Sequence, residues 1–248
     1  MSGHSKWHNI KLRKGKADAQ RGARFTKLSK EIILAAKSGS PDPDANYRLK
    51  MAVEKAREQN MPQENIKRAI TRGSGASGER EIEEIRYEGY GPHGIAVILD
   101  AATDNRNRTA GELRFLFSKH GGTLGETGSV GWMFEPVGVL EIEVEGREED
   151  ALTEAVLVDG VIDLEYDDPI ALVYTQPTRL SIAREALVAA RIKVTSLYLG
   201  MRAKTKVTLE GAQLREALEF LDALDEHEDA QRLFGNLDLS EAALEALA

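Results

Sequence analysis

Cysteine is absent from the 248 residues of this chain, which excludes disulfides, thiolate zinc sites, iron–sulfur clusters and a cysteine nucleophile. Long apolar runs are absent too: none approaches the roughly 18 residues that a membrane-spanning helix needs. The N-terminus has no apolar segment behind its charges, so the pattern does not predict a secretory signal. We therefore expect a soluble cytoplasmic protein without a membrane partner.

Groups suited to catalysis are also scarce. The chain has only five histidines, and none stands with a serine or an acid in a recognised nucleophile arrangement. His4 and His8 are spaced for a metal only on a helix, and the glycine and serine around them disfavour one. No sequence motif indicates a small-molecule substrate. We predict a protein that is not an enzyme, with no catalytic residues, no metal site and no cofactor.

The net charge of −8 averages two unlike parts of the chain. Residues 1–80 hold 18 Lys and Arg against 8 Asp and Glu, a net of +10, and the remaining 168 residues have a net of −18. Residues 1–30 alone carry nine basic groups and one acid, Asp18. This asymmetry predicts that one end of the protein attracts polyanions and that the rest repels them.

Residues 1–79 are predicted to form a basic arm followed by a bundle of three amphipathic helices. From Arg24 onward, apolar residues recur at spacings of three and four, with cations on the other side of the helix. Asp44 is the expected N-cap of the second helix. The glycine-rich run 73–78 then marks a linker. The apolar stripe of the first helix consists of Phe25, Leu28, Ile32 and Ala36.

Beyond residue 80 the patterns of strands and helices alternate, so the predicted fold class is α+β with three domains. Residues 137–203 read β-α-β-β-α-β, the order of a ferredoxin-like domain. We predict that this domain is inserted in a middle α/β domain made of residues 80–136 and 204–248. The predicted strands are 82–88, 94–101, 130–135, 137–144, 161–166, 170–175, 194–200 and 204–209, and the predicted helices are 108–119, 148–158, 178–191 and 211–225.

The arm and the first helix carry the residues expected to bind nucleic acid. Lysine and arginine neutralise phosphates and release counterions, and an indole stacks on an unpaired base. An alternative for Trp7 is that it anchors the arm on the helical bundle. The predicted nucleic-acid-binding residues are Lys6, Trp7, Lys11, Arg13, Lys14, Lys16, Arg21, Arg24, Lys27 and Lys30.

A second group of cations stands where a strand pattern meets a helix pattern. Arg106 and Arg108 flank a predicted helix N-terminus, whose unpaired amides attract anions. Thr109 and Glu112 have the spacing of a capping box. The two arginines are therefore candidates for contact with an anion or a partner protein. The alternative is a capped turn in which they pair with neighbouring acids.

The glycine-rich run from Gly121 to Trp132 resembles a phosphate cradle at first sight. It lacks the Gly-Lys-Ser/Thr ending of a P-loop, and its glycines do not match the dinucleotide fingerprint. Turns with positive φ are the simpler interpretation. We expect Trp132 and the residues after it to enter a strand and pack.

The sequence contains several long motifs: GHSKWHNIKLRKGKADAQRGARFTKLSKEI, NMPQENIKRAI, YEGYGP, DNRNRTAGELR and GGTLGETGSVGWMF. Together they resemble the motifs of the YebC family. The resemblance covers nearly the whole chain and implies a helical N-terminal domain and two α/β domains, the last inserted in the middle one. Members are commonly described as probable transcriptional regulators, and a mitochondrial relative is a translational activator of a cytochrome c oxidase subunit. The resemblance thus implies regulation of gene expression.

DNA and ribosomal RNA remain alternatives as the partner. The resemblance favours a DNA-binding transcriptional regulator, but no clear recognition helix is visible in the sequence, and a lysine-rich arm grips phosphates without reading bases. The same arm suits ribosomal RNA in a translation factor that associates with the ribosome. A third alternative is an acidic protein-interaction scaffold with an incidental basic tail.

Overall fold

The computed structural model describes residues 21–144, 146–166 and 169–239. These residues form two compact units. The first unit contains residues 21–131 and 209–233, and the second contains residues 132–208 and 234–239 within the described part. Three helices precede two four-stranded sheets that carry further helices, so the α+β class is confirmed. Within the described ranges, no helix is long and apolar enough to cross a membrane.

Three helices open the first unit: α1 (Arg21–Lys37), α2 (Tyr47–Glu58) and α3 (Gln63–Gly73). Their shared core includes Leu28, Ile32, Leu49, Val53 and Ile66, all at most 5% exposed. The predicted stripe of α1 lies in this core, with Phe25 partly buried at its edge.

The burial of α1 is wider than the predicted stripe. All residues from Ile32 to Ala36 are buried, and Ile82 and Ala102 belong to the same core. The helix therefore packs against the other two helices on one side and against the first sheet region on the other. A helix that is apolar on more than one side is typical of such a buried position.

Asn46, and not Asp44, is the N-cap of α2. Its side-chain oxygen accepts a hydrogen bond from the amide of Leu49 at 3.1 Å, and its amide group donates to the carbonyl oxygens of Ala35 and Ser40 at 2.9 and 2.8 Å. An asparagine provides both donors and an acceptor, so it joins the end of α1 to the start of α2. The carboxylate of Asp44 has no donor with which to form the two bonds to the carbonyl oxygens of Ala35 and Ser40.

The first sheet has the strand order β3-β1-β2-β8. Its strands are β1 (Glu83–Tyr90), β2 (Ala96–Thr103), β3 (Thr123–Leu124) and β8 (Ala230–Gly235), and β1 is antiparallel to both β2 and β3. Helices α4 (Arg106–Lys119) and α7 (Gly211–Glu226) belong to the same unit. They meet through Phe117 and Phe220, whose rings make an edge-to-face contact at 5.0 Å.

The second sheet has the order β5-β6-β4-β7, and its pairs are antiparallel. Along the chain its elements are β4 (Phe134–Glu143), α5 (Glu149–Ala155), β5 (Val161–Glu165), β6 (Ile170–Thr175), α6 (Leu180–Ala189) and β7 (Val194–Ala203). Apolar residues of both helices and of the inner strands form one core under this sheet.

Two strand predictions were wrong. In place of the predicted strands 130–135 and 137–144 the structure has one strand, β4 (Phe134–Glu143), preceded by a 3-10 turn at Gly131–Met133. Pro136 does not interrupt β4, because at that level the strand pairs only with β7 and no amide is needed on the other side. Residues 204–209 are not a strand, and Val207 makes only an isolated parallel bridge with Leu237. The sheet strand in this part of the chain is β8, which the sequence pattern did not reveal.

Candidate nucleic-acid interface

The structure does not describe most of the predicted arm. Lys6, Trp7, Lys11, Arg13, Lys14 and Lys16 lie outside the described residues, and α1 begins at Arg21, whose side chain is also not described. The placement of these residues in a nucleic-acid interface stays a prediction. The described part of the predicted interface consists of Arg24, Lys27 and Lys30, which lie on the first three turns of α1.

These three cations do not share one open face. The Nη1 atom of Arg24 donates to the side-chain oxygen of Gln59 at 3.2 Å, just beyond the end of α2. Lys27 donates to the carbonyl oxygen of Asp225 and lies 3.7 Å from its carboxylate. Lys30 donates to the carbonyl oxygen of Glu228 at 3.0 Å and forms an ion pair with Asp229. Lys27 and Lys30 therefore contact acidic residues at the end of α7, and Arg24 points elsewhere.

Asp229 is the centre of a buried polar network. Its side chain is 0% exposed, and it accepts hydrogen bonds from Lys30, from Nη2 of Arg108 at 3.0 Å and from the hydroxyl of Thr109 at 2.6 Å. Its own carbonyl oxygen accepts from the amide of Ala102 in β2 at 2.8 Å. We call Asp229, Lys30, Arg108 and Thr109 the Asp229 network. It joins α1, α4 and the start of β8.

The charge of Asp229 is strongly stabilised. Burial by itself raises the pKa of this carboxyl, but the hydrogen bonds from Lys30, Thr109 and Arg108 outweigh burial and lower the pKa to about 2. The bond to Asp229 also raises the pKa of the Arg108 guanidinium. Asp229 and Arg108 are therefore both charged at neutral pH.

Arg108 and Arg106 differ in what they offer to a partner. Arg108 forms ion pairs with Asp229, with Glu228 at 3.7 Å and with Asp104 at 3.7 Å. This arrangement matches the alternative in which the arginine pairs with neighbouring acids. The side chain of Arg106 is 69% exposed, and its Nε atom lies 3.9 Å from the carboxylate of Glu83. The contact of either residue with an external anion stays a prediction.

The predicted capping box at Thr109 is wrong. Asn105 is the N-cap of α4, and its side-chain oxygen accepts from the amide of Arg108 at 3.2 Å. Thr109 lies one turn further and is buried, and its hydroxyl serves the Asp229 network.

Other cations of the three helices are also paired within the first unit. Lys37 contacts Glu81 at 2.9 Å, Arg48 contacts Glu84 at 3.6 Å, and Arg72 contacts both Glu79 at 3.1 Å and Asp104 at 3.4 Å. Part of the charge asymmetry of the sequence is thus neutralised inside the protein. On these three helices, the exposed cations that form no ion pair with the described part of the chain are Lys50, Arg57 and Arg68.

The glycine-rich loop before β4 encloses a carboxylate of the protein itself. The side chain of Glu88 accepts hydrogen bonds from the amides of Val130 and Gly131 at 2.9 and 2.7 Å, and Glu88 is only 6% exposed. Burial alone raises the pKa of Glu88, yet the bonds from the loop amides outweigh burial and lower it. The loop amides that resembled a phosphate cradle therefore already hold an anion. Gly121 and Gly128 have φ angles of 74° and 89°, as expected for turns.

Trp132 differs from its prediction. It does not pack in a strand but lies in the 3-10 turn Gly131–Met133 with 67% of its surface exposed. Strand β4 begins only at Phe134, which is buried. A run of three apolar residues does not reveal which of them precedes the first paired position of a strand.

One cluster of side chains has the spacing of a metal site. The potential ligand atoms of its three residues lie within 4.8 Å of one another; the residues are Glu112, His227 and Asp229. These atoms are already used. The Nδ1 atom of His227 accepts from the amide of Asp229 at 3.1 Å, and Nε2 faces Glu112 at 3.1 Å. The carboxylate of Asp229 already accepts hydrogen bonds from the three donors of its network. The cluster is therefore explained by hydrogen bonds between its own members and the Asp229 network.

Comparisons with known proteins agree along the whole chain. A model of the TACO1/YebC N-terminal domain matches residues 5–76, and a model of the TACO1/YebC second and third domains matches residues 82–237. A protein of Herpetosiphon aurantiacus is 45% identical over 100% of this chain and 99% of its own length, and one of Pelotomaculum thermopropionicum is 46% identical over 97% and 100%. Both carry the name "Probable transcriptional regulatory protein".

A solved structure has the same fold. The crystal structure of the conserved hypothetical protein Aq1575 from Aquifex aeolicus is similar with a TM-score of 0.84 and 38% identity, over 91% of this chain and 93% of that chain. The predicted family is confirmed, and with it the prediction of a protein that is not an enzyme. The chain belongs to the TACO1/YebC family.

Proposed function

We propose that this chain is a cytoplasmic nucleic-acid-binding regulator of gene expression, most simply a DNA-binding transcriptional regulator. The observation that carries the proposal is the charge of residues 1–30, with nine basic groups and one acid. Relatives named as probable transcriptional regulatory proteins support regulation of transcription. In this proposal the cations of the arm contact phosphates, and the exposed cations of the helical region add further contacts.

The exposed cations of the helical region support this location. Arg57 lies near the end of α2, two residues from Gln59, to which Arg24 is bonded. Arg24 and Arg57 thus carry positive charge at the same end of α2. Because Lys27 and Lys30 are engaged with Asp225 and Asp229, we assign them a structural part in presenting this surface.

The connection of α2 and α3 favours DNA. Residues 59–62 join the two helices, and Asn60 takes a φ of 60° in this turn. Two helices with so short a connection are typical of helix-turn-helix units, in which the second helix contacts the major groove. The second helix here is α3, and Arg68 on it is exposed. We propose α3 as the helix that contacts DNA.

Neutralisation of the arm tests the proposed function. A variant in which Lys6, Lys11, Arg13, Lys14 and Lys16 are all replaced by glutamine loses five cations and keeps the chain length. We expect the slope of log K against log salt for duplex DNA to become less steep by about 4. The measurement is fluorescence anisotropy of a labelled duplex between low and physiological salt. An unchanged slope would show that these cations contact no phosphate.

Charge reversal on α3 tests the contribution of the helix. We expect Arg68→Glu to weaken DNA binding about tenfold, because one phosphate contact is replaced by repulsion. Arg114→Glu is the matched control, since Arg114 is also exposed, lies on α4 and forms no ion pair with described residues. Anisotropy titrations with the same duplex compare the two. Equal losses in both variants would mean that only net charge matters and that α3 is not a specific contact.

A ribosome-associated translation factor is the second candidate. The observation that favours it is the lysine content of the arm, since lysine grips phosphates without reading bases. Sedimentation of lysate through a sucrose gradient separates the two. Comigration with ribosomal particles that disappears with the arm-neutralised variant supports translation. A footprint on a promoter that survives excess competitor DNA supports transcription.

The second sheet fits the predicted ferredoxin-like type. Its chain order β-α-β-β-α-β and its strand order β5-β6-β4-β7 correspond to a split βαβ domain. We propose that it is a domain inserted in the middle one. The division of the chain into three domains, with bounds at 79/80, 136/137 and 203/204, stays a prediction.

A further inference from the structure

Strand β7 is the last strand of the second sheet, and within the described part of the chain one of its edges has no neighbouring strand. The strand order is β5-β6-β4-β7, and β7 (Val194–Ala203) pairs only with β4. The edge strand at the other end of the sheet is β5, which has five residues against the ten of β7. An open edge carries backbone donors and acceptors that can pair with a further strand.

The hydrogen-bond pattern of the ladder shows which peptide groups of β7 face outward. The amide of Lys204 donates to the carbonyl oxygen of Met133 at 2.9 Å, one position beyond the pair Phe134 and Ala203. Bonded and non-bonded pairs alternate along an antiparallel ladder, so every second residue of β7 from Ala203 backward directs its peptide groups away from β4. Pro136 agrees with this pattern, because it lies opposite an outward-facing residue and has no amide to donate to β7. In the centre of β7 the outward-facing residues are Leu197, Leu199 and Met201.

The side chains of these three residues form an apolar row along the open edge. They lie on one face of the sheet, because alternate residues of a strand share a face. Leu199 is 62% exposed, and Leu197 and Met201 are half-buried. Edges that must stay unpaired usually carry lysine, an acid or proline. Residues 197–201 include none of these, whereas β5 carries Asp163 and Glu165. The β7 edge is therefore the one suited to accept a strand.

Helix α6 adds apolar surface beside this edge. It packs on β4 and β7 through a buried stripe that includes Ala183 and Leu187. Ile182 and Val188 flank this stripe on opposite sides and are 45% and 55% exposed. One flank of a helix that lies over the last two strands faces the open edge. An exposed apolar side chain of α6 therefore accompanies the row on β7.

We propose that β7 pairs with β7 of a second copy of this chain, antiparallel and about a twofold axis at Leu199, so that the two four-stranded sheets become one. Pairing about this residue places Leu199 opposite its own copy and Leu197 opposite Met201. The outward-facing peptide groups of the three residues form the new ladder. The inference goes beyond the proposed function and does not depend on it.

A second copy fits the charges along the edge. Arg202 is the only charged residue of β7, and in this register it lies opposite Ser196. No two like charges of β7 therefore meet, and the side chains that meet beside the axis are apolar. The other edge strand differs, because self-pairing of β5 about its middle residue would bring two Asp163 carboxylates together. This compatibility of β7 with itself favours a second copy over a strand of another protein.

Charges placed at the twofold axis test the pairing. Sedimentation velocity of the full-length chain over a series of concentrations should show a reversible equilibrium between monomer and dimer. Leu199→Lys and Leu199→Glu should each weaken association about tenfold or more, because two like charges would lie directly opposite. An equimolar mixture of the two variants should dimerise again, because only the mixed dimer places a lysine opposite a glutamate. The mixture is measured at low salt, where the pair is least screened.

Ile162→Lys is the matched control. It makes the same change at another exposed apolar residue of the same sheet, 45% exposed, but on β5. We expect this variant to dimerise like the parent. Thermal unfolding should show that all variants remain folded, because the replaced side chains lie largely in water.

The outcomes decide between this pairing and its alternatives. A parent chain that stays monomeric up to its solubility limit overturns the proposal. So does a dimer that Leu199→Lys leaves intact, or that Ile162→Lys weakens equally, since either result places the interface elsewhere. A mixture of the lysine and glutamate variants that stays monomeric refutes the axis at Leu199. Binding of nucleic acid by a monomeric parent would leave the proposed function standing while the dimer fails.

Discussion

Replacement of Asp229 by alanine is expected to lower the free energy of unfolding by about 3–5 kcal/mol. The reason is that Lys30, Arg108 and the hydroxyl of Thr109 would lose their common acceptor. Lys30 has only 12% of its side chain exposed, so it cannot regain water without displacing α1. Chemical denaturation of both proteins, followed by circular dichroism, gives the difference.

Two further variants identify the cause of this loss. Glu228→Ala removes the neighbouring carboxylate, which is 57% exposed, and should change stability by less than about 0.5 kcal/mol. The double variant Asp229→Ala with Lys30→Met removes the buried ammonium along with its acceptor. It should be more stable than the sum of the two single changes predicts, because no uncompensated charge remains. Strict additivity would show that Lys30 and Asp229 are not energetically coupled.

The carboxylate of Asp229 also makes the stability of the folded protein depend on pH. Its pKa lies at about 2 in the folded protein, below its ordinary value of 3.8. A depressed pKa means that the unfolded chain takes up the proton first, so Asp229 contributes its stabilisation above pH 4 and loses it as the pH falls toward 2. The contribution amounts to about 2 kcal/mol. Asp229→Asn should therefore show a shallower decline in stability over this pH range than the parent protein.

Replacement of Glu88 by alanine should have the second largest effect. The amides of Val130 and Gly131 would lose their acceptor in a site that is only 6% exposed. Each buried donor left without a partner costs about 1–3 kcal/mol, so we expect a loss of about 2–4 kcal/mol. Hydrogen exchange measured by NMR should show the amides of Val130 and Gly131 protected in the parent and exposed to exchange in Glu88→Ala.

Glu126→Ala is the matched control for Glu88, because Glu126 lies in the same loop and its side chain is exposed. It should leave both stability and exchange unchanged. Glu88→Gln keeps one acceptor oxygen. It should lower the free energy of unfolding by only about 1 kcal/mol, because only the contribution of the negative charge to the hydrogen bonds is lost. If alanine and glutamine at position 88 behave alike, the hydrogen bonds from the loop amides do not account for the stability of the site. Because the pKa of Glu88 is lowered, its contribution should decline as the pH falls below its ordinary value of 4.5.

Most elements of the fold follow from local pattern. The apolar spacing of α1, the turn glycines and the alternation beyond residue 80 depend on neighbours within a few positions, so the sequence predicts the α+β class and nearly all helices. The wrong strand predictions concern residues whose structure depends on a strand that is distant in the sequence. Pro136 lies within β4 because β6 does not reach that level, and β8 is a strand because the edge of β2 is available to it.

For the candidate site, too, some features follow from the sequence and others only from the tertiary structure. Composition by itself determines that one end of the chain is strongly basic, and the long motifs determine its family. Only the tertiary structure decides which cations remain available, because a lysine and an aspartate 199 positions apart give no local signal of their contact. Lys30 was predicted to bind nucleic acid, and folding places its ammonium against the buried carboxylate of Asp229. Trp132 shows the reverse: the sequence predicted that it packs in a strand, but β4 begins two residues later and Trp132 is 67% exposed.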